Sequence, residues 1–342
     1  MPDFRLALQQ AWLTKGLLAY FLWPASLVYG LLVWIRKQLY RIGVFQSQRL
    51  PVPVIVVGNV FVGGVGKTPL VIALVKRLTE QGLHVGVLSR GYGRVDGHVR
   101  SVTPQNLAQE VGDEPLLIAR ACQVPVFVGK DRFQAGRELL AENPQIQVIV
   151  CDDGLQHLGL AHDVALCVFD ERGLGNAWVL PAGPLREPWP LDASGNSRCI
   201  SVSTSSQALH NLKTDFWVPR ALGPLARQAD GTTQALSSFQ GKKVQALAGI
   251  GKPQVFFDML SAVGISLSTT LALADHDDMR AVNIDPAMGD VLCTEKDAVK
   301  LWNYQPTAWA VPLVTEISPN LLDAVMVRIG PKLSSVHGHQ TT

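Results

Sequence analysis

Lys67 and Thr68 close the run Val62-Gly63-Gly64-Val65-Gly66-Lys67-Thr68, in which a lysine and a hydroxyl end a glycine-rich turn. Gly63, Gly64 and Gly66 let the backbone curl so that several N–H groups point at phosphate oxygens. The N-terminus of a following helix adds partial positive charge. Lys67 would then reach the β- and γ-phosphates of a nucleotide, and the Thr68 hydroxyl would bind magnesium. The pattern G-x-x-x-x-G-K-[ST] is not met in full, because Phe61 stands at its first position. Phe61, Val62, Gly63, Gly64, Val65, Gly66, Lys67 and Thr68 are the expected nucleotide-binding residues, and Pro69 at the first helical turn loses no needed donor.

A phosphate loop needs acids at the end of a neighbouring strand to organise magnesium and water. "IQVIVCDDG" supplies Asp152 and Asp153 after the apolar run Ile146 to Val150. Asp113 and Glu114 open an apolar helical pattern in "VGDEPLLIA". An acid there suits two roles, accepting a proton from an attacking hydroxyl or capping the helix. His276 stands among Asp275, Asp277 and Asp278 and reads in isolation as a surface histidine. Arg186 and Glu187 lie on the proline-rich "GPLREPWP", where a phosphate contact and a structural salt bridge fit the arginine equally.

These groups must be positioned by strands and helices in alternation. "VPVIVVGNV", the loop and a helix come first, followed by "VGVLSRGYG", a strand ending at Ser89, and then the strand before Asp152. That rhythm predicts an α/β fold, a P-loop NTPase-like parallel sheet domain over residues 50–225. From Lys242, "KVQALAGIGKPQVFFDMLSAVG" and "LSTTLAL" repeat it on a smaller scale, so a second α/β domain is expected over 226–333. A hinge falls near 220–240, and 334–342 reads as a mobile tail. Lys252 is followed by Pro253, so Gly249 and Gly251 make no second phosphate loop. Glu295 occupies the lysine position of a guanine-reading motif, which leaves guanine recognition unsupported.

Gly16 to Ile35 are twenty residues without a charge, enough for a helix of roughly 30 Å. With Pro24, several aromatics and the basic flank Arg36, Lys37, Arg41 and Arg49, residues 1–49 read as a membrane-associating helix set against anionic headgroups. The alternative is a buried core helix. A net charge of +2 across 342 residues gives no support for a nucleic-acid binder. Five scattered cysteines suggest neither a disulfide framework nor a zinc knuckle and fit a reducing cytosol. His157 and His162 complete no metal pattern.

Taken together, "GNVFVGGVGKTP" from Gly58, "SRGYG" from Ser89, "GDEP" from Gly112, "DDGLQH" from Asp152, "LPAGPLREP" from Leu180, "ADH" from Ala274 and "TEKDAVK" from Thr294 resemble the tetraacyldisaccharide 4'-kinase family, the lipid A 4'-kinases. The resemblance implies transfer of the γ-phosphoryl group of ATP to the 4'-hydroxyl of a tetraacyldisaccharide 1-phosphate. It implies ATP and Mg2+ as cofactors, a glycolipid substrate at the cytoplasmic face of the inner membrane, and no required protein partner. By the same resemblance Asp113 takes the hydroxyl proton with His276 coupled to it. Lys67 is catalytic; Thr68, Glu114 and Asp152 hold magnesium with Asp153 close by, and Arg186 and Glu187 meet substrate. The rival readings are a nucleotide-dependent switch ATPase and a membrane-tethered interaction protein.

Overall fold

The computed structural model describes residues 8, 10–94, 96–191, 199–205, 207–209, 211–275, 277–280, 282, 284 and 286–337. It opens with a helix, α1 (Leu17–Arg41). The first α/β unit follows: β1 (Val54–Gly58), α2 (Lys67–Glu80), β2 (Val85–Ser89), β3 (Arg100–Val102), α3 (Ala108–Val111), α4 (Asp113–Cys122), β4 (Val126–Val128), α5 (Arg132–Glu142), β5 (Val148–Asp152), β6 (Val164–Phe169), β7 (Cys199–Ser203) and β8 (Phe216–Trp217). Its strands form one sheet in the order β3-β4-β2-β5-β1-β6-β7-β8. All neighbours run parallel except the edge pair β3 and β4. Such strands are covered on both faces, which is why β1 and β5 are uninterrupted buried runs. Leu70, Leu74 and Leu78, one turn apart on α2, are fully buried against the sheet.

The chain then forms β9 (Arg220–Leu222), β10 (Leu225–Arg227), β11 (Thr233–Ala235), β12 (Val244–Ala248), α6 (Pro253–Ala262), β13 (Leu267–Ala272), β14 (Asp290–Thr294), α7 (Glu295–Leu301), β15 (Trp309–Val311), β16 (Leu313–Thr315) and α8 (Pro319–His337). A second sheet runs β11-β10-β15-β14-β12-β13, and β9 pairs with β16 in a two-stranded ribbon. Residues 220–222, 225–227 and 233–235, within the span where the sequence suggests a hinge, are strands with ladder partners.

The C-terminal helix departs from the sequence expectation in two ways. Leu321, Leu322, Val325 and Ile329 join the core of the first sheet. Lys332 Nζ donates to the Val52 carbonyl at 2.8 Å and to Asp163 at 3.3 Å. The helix thus belongs with the first unit although its sequence follows the second. It also runs to His337, past Ser334, where the sequence suggests that the tail begins; the Ser334 hydroxyl donates back to the Gly330 carbonyl within the helix.

Helix α1 is inverted with respect to a soluble helix. Its buried residues are Ala19 and Ser26, whereas Leu17 and Phe21 are 92% and 81% exposed. It docks through polar groups: Ser26 Oγ donates to the Val179 carbonyl at 2.9 Å, and Tyr29 OH donates to the Arg186 carbonyl at 2.8 Å. The core-helix alternative fails on that exposure, and the apolar face fits membrane association. The basic flank is used differently from the expectation. Lys37 pairs with Glu187 at 2.6 Å, Arg36 donates to the Gln156 carbonyl, and Arg49 lies 3.6 Å from Asp163. Three of the four cations thus bind the protein's own acceptors.

Replacing Phe21 and Leu32 together by aspartate keeps those docking contacts and is expected to move most of the protein from the membrane to the soluble fraction. Each aspartate costs about 3 kcal/mol at the centre of a spanning helix and less at an interface. Unchanged partitioning after ultracentrifugation would contradict membrane contact by this face.

Candidate active site

The loop between β1 and α2 stands over the carboxyl ends of β1 and β5, where open α/β sheets form their crevice. Gly66 has φ +74°, and a Cβ there would come within 2.5 Å of the Arg220 guanidinium. The positive φ favours glycine there, and a side chain would also have to displace the Arg220 guanidinium. Lys67 Nζ donates to Asn59 Oδ1 at 2.9 Å and lies 3.1 Å from Asp153 Oδ1. Asn59 in turn donates to the Phe61 carbonyl, and Val62 N donates to the Pro184 carbonyl at 2.9 Å. Gly63 and Gly64 are exposed at the loop's tip.

Asp152 ends β5 directly beside Val57 of β1 and is fully buried. One carboxylate oxygen accepts from Ser89 Oγ at 3.3 Å, and the other has no hydrogen-bond partner. Burial, reinforced by the charge of Glu114 and opposed by Lys67, pushes its pKa up to about 8. A buried carboxylate oxygen without a donor is costly, and a cation removes that cost. This orphaned oxygen, within electrostatic reach of Glu114 and Lys67, fits a magnesium ion, and the Thr68 hydroxyl lies on the cleft that Glu114 and Lys67 also line. Among the described residues no three acids, histidines or cysteines form a closed cage. Magnesium in a nucleotide site takes one or two carboxylates and fills its remaining positions with phosphate and water.

Asp153 adopts a left-handed φ of 50°. Burial works against its ionised form, but Lys67 and Arg186 outweigh that and hold it below the usual carboxylate range. Arg186 Nη1 lies 3.6 Å from Asp153 and donates to Gln156 Oε1 at 3.2 Å. Glu187 is buried and accepts from Gln156 Nε2 at 2.8 Å. Through Glu187 and Lys37 helix α1 is joined to the acids of the site. Arg186 thus makes a salt bridge of the kind the sequence allows.

Asp113 lies in the first turn of α4, while Gly112, with φ +95°, occupies the cap position, so the capping alternative is not realised. Its buried carboxylate accepts from Lys300 Nζ of the second unit at 2.9 Å. Lys296 Nζ donates to Asp275 at 2.9 Å and lies 3.9 Å from Glu114. His276 lies outside the described residues. The turn after β12 faces the phosphate loop, with a Cβ on Gly251 only 3.7 Å from Gly64 N. One cleft between the sheets therefore brings together Lys67, Thr68, Glu114, Asp275 and Lys296. Ile72, Leu117, Val255, Phe256, Met259 and Leu313 line it with an apolar wall suited to a flat base. Gln156, Lys296 and Lys300 were passed over as individual site residues, although "DDGLQH" and "TEKDAVK" contain them.

A parallel sheet with a phosphate loop at its central strand, acids on the next strand and an exposed apolar helix that fits membrane association defines a phosphate-loop phosphotransferase. The family model of the tetraacyldisaccharide-1-P 4'-kinases, LpxK, matches residues 18–329, and the chain belongs to that family. It is 49% identical to the tetraacyldisaccharide 4'-kinase of Acidovorax ebreus (strain TPSY) over 96% of each chain. It is 48% identical to that of Polaromonas naphthalenivorans (strain CJ2), covering 98% of this chain and 99% of the relative. Among solved structures it is similar to "apo" form LpxK from Aquifex aeolicus in complex with ATP, with TM-score 0.77 and 28% identity over 92% of this chain and 100% of that one. The resemblance carried by the sequence motifs is borne out.

Proposed function

We propose that the cleft above Lys67 is where this 4'-kinase performs its family's reaction. The γ-phosphoryl group of ATP passes there to the 4'-hydroxyl of a tetraacyldisaccharide 1-phosphate in lipid A synthesis, at the cytoplasmic face of the inner membrane. The observation that carries the reading is the buried, orphaned oxygen of Asp152, at the end of β5 beside β1 and within electrostatic reach of Lys67 and Glu114. Lys67 exchanges its contacts with Asn59 and Asp153 for the β- and γ-phosphates. Thr68, Asp152 and Glu114 hold magnesium, which supplies neutralisation of phosphate charge when bound.

Asp113 accepts the proton of the sugar hydroxyl as its oxygen bonds to the γ-phosphorus. The bond to the β–γ bridging oxygen breaks, and ADP leaves. His276 is coupled to Asp113 in this reading. Helix α1 holds the acyl chains at the level of the cleft, and Arg186 and Glu187 at its foot orient the sugar.

The rival switch ATPase predicts nucleotide turnover without a lipid acceptor. Phosphate release from ATP is expected to stay at background with and without the disaccharide lipid, while ADP appears only when the lipid is added. Equal phosphate release in both would favour the switch.

Lys300 and Asp113 are both buried and join the two units, so removing one partner strands a charge. Lys300→Met is expected to lower the unfolding free energy by about 3–5 kcal/mol, read from denaturant titration. A loss under 1 kcal/mol would mean that the pair does not hold the units together.

A further inference from the structure

Phe61 stands where the phosphate-loop pattern has a glycine, and it is 2% exposed. Its ring carries the Arg172 guanidinium 4.0 Å above its centroid. That guanidinium is fixed from a second side by Asp170, itself 2% exposed: Arg172 Nε lies 3.0 Å from both carboxylate oxygens, and Nη2 lies 2.6 Å from Oδ2. From this bracket Nη2 also donates to the Gly64 carbonyl at 2.9 Å. A trans peptide points its carbonyl and its N–H in opposite directions, so drawing the Gly64 carbonyl toward Arg172 turns the Val65 N–H the other way. A carbonyl aimed at a phosphate would repel it, whereas an N–H would hold it. Lys252, on the turn after β12, donates to the same Asp170 at 3.2 Å, so the bracket also touches the second sheet.

We infer that Arg172, aligned by Asp170 and by the ring of Phe61, is a positioning residue for the phosphate loop. It sets the Gly64–Val65 peptide so that an N–H faces the nucleotide, a task that the missing first glycine leaves to a side chain. The inference rests on the reading that this loop holds ATP. Asp170 and Arg172 are not needed to contact the nucleotide, only to shape the backbone that does.

The test is calorimetric titration of ADP into the full-length protein in detergent, with steady-state KM values for ATP and for the lipid acceptor measured in parallel. Arg172→Met is expected to weaken ADP about tenfold or more, as loss of a charged hydrogen bond does. KM for ATP should rise with it, while KM for the lipid stays within about twofold of native. Arg172→Lys should recover only part of the loss, because an ammonium cannot pair with Asp170 as a fork, stack on the ring and reach Gly64 together. Phe61→Leu, which keeps the charge and removes the ring, should weaken ADP about threefold; it carries the test if Arg172→Met does not fold.

A lowered melting temperature with unchanged ADP affinity, measured below the transitions of the variants, would overturn the inference and leave Arg172 a structural residue. Lys67→Ala in the same titration separates the premise from the inference. If it weakens ADP and the Arg172 and Phe61 variants do not, the bracket fails alone. If none of them weakens ADP, the loop is not the nucleotide site and the inference falls with that reading.

Discussion

Lys67→Ala is expected to lower kcat for transfer about 10²- to 10³-fold, the effect of deleting one preorganised donor aimed at charge that develops in the transition state. Phosphoryl transfer offers the protein little covalent chemistry, so positioning and neutralisation must carry the rate. Lys67 is already held at the mouth of the loop by Asn59 and Asp153, which keep its ammonium beside the buried Asp152. Removing it leaves the phosphate charge uncompensated and leaves Asp152 and Asp153 without their nearest cation. Near-normal turnover in the variant would take the loop out of the mechanism.

Asp113→Asn is expected to lower kcat about 10²- to 10⁴-fold, the usual contribution of a positioned base, with ATP affinity within about twofold of native. The amide keeps the shape of the side chain and can still accept from Lys300, so it disturbs the joint between the units less than alanine does, although the ammonium loses its counter-charge. Asp113→Ala would remove the base as well, but it strands the buried ammonium of Lys300 and confounds chemistry with stability. A loss confined to ATP affinity would show that Asp113 serves the nucleotide and that another group takes the proton.

The parts of the fold legible in the sequence are those encoded by local pattern. The apolar run before Gly58 and the run before Asp152 read as buried parallel strands because both faces of such a sheet are covered, and both became β1 and β5. The lysine and hydroxyl after Gly66, and the apolar helix before Arg36, were visible for the same reason. Pairings between distant residues left no local signature. Lys300 meets Asp113 across 187 positions, and Lys252 meets Asp170 across 82. The sequence rhythm groups residues up to 333 with the second unit, yet the apolar stripe of helix α8 packs into the larger core of the first sheet. The basic flank was assigned to lipid by composition, although Lys37 turns inward because Glu187 is buried and needs a cation.

The most direct measurement is transfer of label from γ-labelled ATP to purified tetraacyldisaccharide 1-phosphate in detergent, comparing the native chain with Lys67→Ala. The expected result is label on the 4'-position of the lipid with the native chain and only a trace with the variant. Label released as free phosphate, equally with and without the lipid, would contradict transfer to the sugar hydroxyl at this loop.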